Sequence, residues 1–287
     1  DLEPKRPWCN QKLTLEDRAG LLVEALSNGE LADQLSTFTP KNVTPSIAPL
    51  GIPAFPYHSE GLHGVRNSFD TLGYNATLFP QVTAMAATGN LSLIKAMAEV
   101  MSTEGRALAN VARSKGVMFP RGAGLFYWSP TMNLGRDPRW GRFQESISED
   151  PWLNAEYSVA FVQGMQGTGD GPLKLGATCK HFLAYSLEGA DGYTRHTFDA
   201  NVSTQDLQES YLPPFHACVA RGRPTQVMCA YNSINGVPAC AHGDFLNGAL
   251  RERWNFTGFV VSDQDAVADI YNTHHYTKTA QEATALA

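Results

Sequence analysis

The chain has 287 residues, 43% of them apolar and 17% charged, with 25 Gly and 17 Pro, a composition that excludes disordered and fibrous classes. A formal net charge of -6 with no Lys/Arg cluster excludes nucleic acid and anionic lipid as expected partners. No run approaches the roughly 18 apolar residues of a membrane span, and the length suits one α/β barrel of about 250 residues, so a single large domain is expected.

In chain order, residues 15–35 read as one helix, with Thr14 as N-cap and apolar residues at helical spacing. Helical patterns recur over residues 93–113, 150–166 and 203–220. Between and after them lie short apolar runs at 124–128, 173–179, 226–230 and 258–261, rich in β-branched and aromatic residues. Strand and helix in alternation predict a parallel sheet. Each run ends in polar chemistry: Ser129-Pro130, Lys180-His181, Tyr231-Asn232 and Ser262-Asp263. In parallel α/β architectures these ends carry the functional groups, and in a barrel they converge on one mouth. Neither a dinucleotide fingerprint nor a phosphate loop occurs, so no cofactor is expected, and a barrel is favoured over an open sheet.

The five cysteines, Cys9, Cys179, Cys218, Cys229 and Cys240, lack metal-site spacing, and no metal is expected. Cys229 and Cys240 bracket a turn-rich stretch, Cys179 meets Cys218 if their elements are adjacent, and Cys9 is left over. Buried free thiols are the alternative. Sequons at Asn42, Asn75, Asn90, Asn201 and Asn255, and a first residue of Asp1 rather than Met, lean toward a secreted, extracellular or cell-wall glycoprotein.

Asp263, just after Phe-Val-Val-Ser, is either a helix N-cap or a catalytic carboxylate; Asp265 can take the capping role and leave Asp263 to face the mouth. The stretch from Asn133 to Glu145 is dense in Arg, Trp and acids, with Gly and Pro against a regular helix. Arg forks and carboxylates match paired sugar hydroxyls, and Trp128, Trp140 or Trp152 offers a flat face to a pyranose ring. An internal salt-bridge network is the competing explanation. Both are expected, with Arg142 toward the ligand and Arg136, Asp137 and Glu145 mainly structural.

Five ordered segments, Ser59-Glu-Gly-Leu-His-Gly-Val, Arg136-Asp-Pro-Arg-Trp-Gly-Arg-Phe-Gln-Glu, Cys179-Lys-His-Phe, Met228-Cys-Ala-Tyr-Asn-Ser-Ile-Asn-Gly-Val-Pro-Ala-Cys and Gly258-Phe-Val-Val-Ser-Asp, resemble family 3 glycoside hydrolases. The β-xylosidase/α-arabinofuranosidase branch of plants and fungi is the nearest match. The resemblance implies a (β/α)8 TIM-type barrel and a retaining exo-β-glycosidase acting on terminal β-xylosyl, arabinosyl or glucosyl residues of oligosaccharides. It implies Asp263 as nucleophile, and Glu60, Arg142, Lys180, His181, Arg195 and Tyr231 as the residues that hold the sugar in the -1 subsite. Lys180 and Arg142 would also keep Asp263 ionised.

The chain departs from the branch at Tyr57-His58, where Trp is common, at Phe143-Gln-Glu-Ser-Ile-Ser-Glu-Asp, and at Gln264, where a Cys is common. It stops at Ala287, before the family's last barrel strand, so residues 1–287 are expected to be an incomplete N-terminal catalytic barrel. In the family the acid/base Glu comes from a following α/β sandwich domain, the expected polypeptide partner. Glu60, Glu149 and Glu188 are available carboxylates, but none sits in an acid/base motif. The competing function is a non-catalytic glycan-binding or structural module of an extracellular assembly.

Overall fold

The computed structural model describes residues 6–36, 43–66, 73–116, 124–167 and 172–287. The sequon at Asn42 lies outside them. Four strands, β1 (Phe126–Tyr127), β2 (Gly176–Phe182), β3 (Gln226–Cys229) and β4 (Phe259–Ser262), form a parallel sheet in chain order. The backbone at Ser59 adds a parallel bridge to Tyr127 on the outer side of β1. Helical segments separate successive strands, so the fold is mixed α/β. Among the described residues the sheet is not closed by hydrogen bonds.

The sheet is nonetheless strongly curled. Flat neighbouring strands lie about 4.8 Å apart, which would put β1 and β4 roughly 14 Å apart with their side chains parallel. Instead the Phe126 and Phe259 ring centroids are 5.4 Å apart, and Tyr57 also reaches Phe259 at 5.5 Å. Side chains on one face can meet across two intervening strands only if that face is concave.

The helices follow their sequence signals, with instructive exceptions. Residues 15–35 form two helices rather than one, α1 (Leu15–Ala25) and α2 (Asn28–Leu35), because Ser27 and Glu30 build a capping box that starts a new helix. Thr14 caps α1 as expected. The long α3 (Leu91–Ser114), capped by Asn90, packs against α4 (Pro151–Gln166), capped by Asp150. At their crossing a side chain on Gly164 would run into the Lys95 carbonyl, so only glycine permits this approach. The pattern at 203–220 is helical over 204–222 but includes two π-helical segments, Leu207–Tyr211 and Cys218–Gly222. The first directly precedes Leu212-Pro213-Pro214, where missing N–H donors and ring clashes disfavour regular α-helical bonding.

Strand β2 runs later than the apolar run 173–179. Arg106 holds the Leu173 and Lys174 carbonyls, both at 2.6 Å, which leaves those residues in the approach to the strand. The strand then continues through polar Lys180 and His181. Two disulfides form as anticipated, Cys179–Cys218 and Cys229–Cys240, and Cys9 is free. They tie β2 and β3 to neighbouring elements close to Lys180 and Tyr231. Replacing Cys179 and Cys218 together by Ala should lower unfolding free energy by about 2–4 kcal/mol in a denaturant titration. An unchanged midpoint would show that the bond is dispensable.

Candidate active site

Glu60, Trp128, the Lys180-His181 pair, Tyr231 and Asp263 stand at or just beyond the C-terminal ends of adjacent parallel segments. They line one cavity of about 430 Å³. All seven site residues singled out in the sequence, namely Glu60, Arg142, Lys180, His181, Arg195, Tyr231 and Asp263, line this cavity. Adjacent residues on a regular strand point to opposite faces, yet Lys180 and His181 both reach it. The β2–β3 register shifts between Cys179 and Phe182, and such irregularities re-aim side chains. The Lys180–His181 peptide is cis. Backbone bonds from Met132 N–H to the Lys180 carbonyl (2.9 Å) and from Lys180 N–H to the Pro130 carbonyl (3.2 Å) hold this strand end.

Three of the four carboxylates in the cavity are committed to cations. Glu60 accepts from Lys180 Nζ at 3.3 Å and lies 3.3 Å from His58 Nε2. Burial pushes its carboxyl pKa up, but the charges and hydrogen bonds of Lys180 and His58 outweigh this and hold it below the ordinary 4.5. Glu145 takes a two-pronged bond from Arg142, at 2.8 and 2.6 Å. Glu188 accepts from the Tyr185 hydroxyl and pairs with Arg195 at 3.5 Å and Arg142 at 4.0 Å.

Asp263 differs. Its Oδ1 accepts from the Gln264 N–H at 2.8 Å, while buried Oδ2 has no hydrogen-bond partner. His181 Nε2 lies 3.4 Å from that oxygen. Burial pushes the Asp263 pKa above the ordinary 3.8; Lys180, the Gln264 N–H, Arg142 and Tyr231 pull it down without cancelling the burial. The two cations thus act in the expected sense, but desolvation wins. The Tyr231 phenol is pushed up in turn, by burial first and then by the Asp263 charge. His181 is held neutral, its pKa well below 6.5, by burial and then by the charges of Arg142, Lys180 and Arg195.

Other expectations are corrected. Asp265 stands at the N-cap of α5 (Ala266–Asn272) but makes no side-chain cap bond, because its left-handed backbone (φ 67°) departs from the extended form capping needs. Of the three tryptophans, only Trp128 lines the cavity, stacked 4.0 Å from the His58 ring; Trp140 is packed inside against Tyr185, and Trp152 is exposed. Glu145 is in the cavity as well as braced by Arg142, whereas Arg136 bonds Tyr211 and Asp137 pairs with Arg139, both away from it. Glu149 does not line it. His58 and Gln264 line the cavity without being anticipated from the sequence, and Glu188, an available carboxylate outside any acid/base motif, lies there too. His58 had a signal, since it lies two residues before Glu60 and shares its face in an extended segment.

The profile described as glycosyl hydrolase family 3 N terminal domain matches residues 19–286. The chain belongs to this family. It is 43% identical over 286 residues to "Beta-xylosidase/alpha-L-arabinofuranosidase 1" of Medicago sativa subsp. varia, covering 97% of this chain and 35% of that protein. To the "Probable exo-1,4-beta-xylosidase" of Neosartorya fischeri it is 44% identical over 289 residues, covering 97% and 36%. Among solved structures, a GH3 exo-β-xylosidase in complex with a xylobiose aziridine activity-based probe superimposes with a TM-score of 0.88 at 32% identity, over 99% of this chain and 36% of that one. This family 3 domain therefore spans about a third of the length of the curated relatives it matches.

Proposed function

We propose that this domain carries the -1 subsite and the nucleophile of a retaining exo-β-glycosidase that removes terminal β-xylosyl or arabinosyl residues from oligosaccharides. The observation that carries this reading is Asp263: a buried carboxylate at a strand end, with one oxygen uncommitted, in a cavity otherwise lined by hydroxyl-binding groups. Asp263 attacks the anomeric carbon, the glycosidic bond breaks, and water hydrolyses the resulting glycosyl-enzyme. Lys180, Arg142, Arg195 and Tyr231 supply donors to the sugar hydroxyls, and Glu60 supplies acceptors. The xylosidase names of the relatives, and Glu60 in its Ser-Glu-Gly-Leu-His-Gly setting, support a pentose.

Retention requires a second carboxyl roughly 5–5.5 Å away to protonate the leaving oxygen. Glu60, Glu145 and Glu188 are each already engaged by Lys or Arg, which leaves none of them turned to a leaving oxygen. The acid/base is therefore assigned to a further α/β sandwich domain of the polypeptide, in keeping with the length of the relatives. The concave sheet supports a (β/α)8 barrel as the complete architecture. The described sequon residues Asn75, Asn90, Asn201 and Asn255 are all exposed, which suits a secreted glycoprotein. No described helix is long and apolar enough to cross a membrane. A purely glycan-binding module would share the cavity, but the glycosidase relatives do not favour it.

A 2-fluoro-xyloside with a good leaving group should inactivate the full-length protein and add one glycosyl mass to the peptide that contains Asp263. Label on any other residue would sink the assignment.

A further inference from the structure

Asn133 is 4% exposed and commits its side chain to His181, itself 1% exposed. Its Nδ2 donates to the His181 carbonyl at 2.7 Å, and its Oδ1 accepts the His181 backbone N–H at 2.8 Å. These two bonds fix the orientation of the amide, since the reverse would set N–H against N–H and oxygen against oxygen. The Asn133 backbone is held in turn, its carbonyl accepting from Ser146 Oγ at 2.9 Å.

The same Asn133 Oδ1 lies 3.0 Å from His181 Nδ1. An amide oxygen only accepts, so Nδ1 carries the proton, and the neutral ring bears its lone pair on Nε2. That lone pair is the ring atom toward Asp263 Oδ2. The other ionisable groups around the imidazole are Lys180, Arg142 and Arg195, with the Tyr185 ring edge-on at 5.1 Å. The Asp263 carboxylate beside Nε2 favours a second proton, but burial and the charges of Arg142, Lys180 and Arg195 outweigh it and keep the ring neutral.

We propose that Asn133 is a positioning residue that locks His181 in the Nδ1–H tautomer, so that Nε2 enters the cavity as a hydrogen-bond acceptor and Asp263 Oδ2 stays free as the attacking oxygen. The two oxygens of Asp263 are then unequal: Oδ1 is held by the Gln264 N–H, and Oδ2 faces the Nε2 lone pair, with the Tyr231 phenol also acting on the carboxylate. With the opposite tautomer, Nε2 would turn a proton instead of a lone pair toward Oδ2 and draw electron density from it. A sugar hydroxyl that donates to Nε2 meets no competing proton there. The second half of this proposal rests on Asp263 being the nucleophile; the tautomer does not.

The test is a long-range proton–nitrogen correlation spectrum of the full-length protein labelled with 15N-histidine, with the His181 signals identified by their loss in His181→Asn. At neutral pH Nδ1 should show the protonated and Nε2 the unprotonated nitrogen shift. Asn133→Asp places a carboxylate against Nδ1–H, which should raise the protonation midpoint of His181 by at least about one pH unit. A wild-type spectrum with Nε2 protonated overturns the proposal whether or not Asn133→Asp folds. An unmoved midpoint in folded Asn133→Asp overturns the role of Asn133. Fluorosugar labelling of Asp263 is indifferent to the tautomer, so the nucleophile and the tautomer fail separately.

Discussion

Asp263→Asn should abolish turnover of an aryl β-xyloside by the full-length protein, lowering kcat by at least about 10⁴-fold, and at the same time raise the melting temperature at neutral pH. Both effects come from one feature. The carboxylate is buried with one oxygen unpaired, a costly state for a charge and a useful one for a nucleophile. The sign follows from its raised pKa. Below the ordinary value of 3.8 Asp263 is protonated whether the chain is folded or not, and carries no penalty. As pH rises through the higher folded value, the native state must ionise a group that burial disfavours, and stability is lost. The gap in melting temperature between variant and wild type should open over that window and then level off. A variant less stable than wild type at pH 7 would show that Lys180, Arg142 and the Gln264 N–H outweigh the burial. Retained turnover would remove Asp263 from the chemistry.

The parts of the site legible in the sequence are those where polarity changes abruptly at the end of an apolar run. Ser262-Asp263 and Tyr231 were marked this way, because a parallel strand is apolar while buried and polar where it emerges. Lys180 and His181 were marked less accurately. They belong to β2 itself, and only a tertiary environment that pairs Lys180 with Glu60 and His181 with Asn133 lets a strand continue through such residues. Arg195 and Glu60 entered through resemblance alone, since nothing local distinguishes them from surface charges. Glu188 illustrates the limit. It reaches Arg195 because the chain doubles back through the hairpin Gly189–Ala190 and Tyr193–Thr194, with Arg195 N–H on the Glu188 carbonyl at 3.0 Å. Neither this hairpin nor the direction in which its base points is marked by an apolar run. The missed break at Ser27 and the failed cap at Asp265 are backbone events decided within one or two residues, below the grain of a periodicity argument.

Lys180→Met should destabilise the fold by about 3 kcal/mol, the low end of the cost of breaking a buried ion pair. The low end applies because the Glu60 side chain keeps 20% of its exposure and retains His58, whereas Lys180 keeps 3%. Glu60 has a folded pKa below its ordinary 4.5, so its pairing contributes stability that is fully present above that value and is lost as pH falls through the folded one. The difference between wild type and Lys180→Met should therefore be largest near neutral pH and shrink in acid, as Glu60 protonates in both proteins. Asp263 responds in the opposite direction, because Lys180 is the strongest group pulling its pKa down, and in the variant that pKa should rise further. The acid limb of kcat/KM should move upward with it. One lysine thus serves two carboxylates differently, stabilising the fold through Glu60 and keeping Asp263 ionised. Urea titrations across pH, read beside the pH–rate profile, separate the two. A stability loss that persists unchanged into acid would assign the effect of Lys180 to packing of its stem rather than to charge.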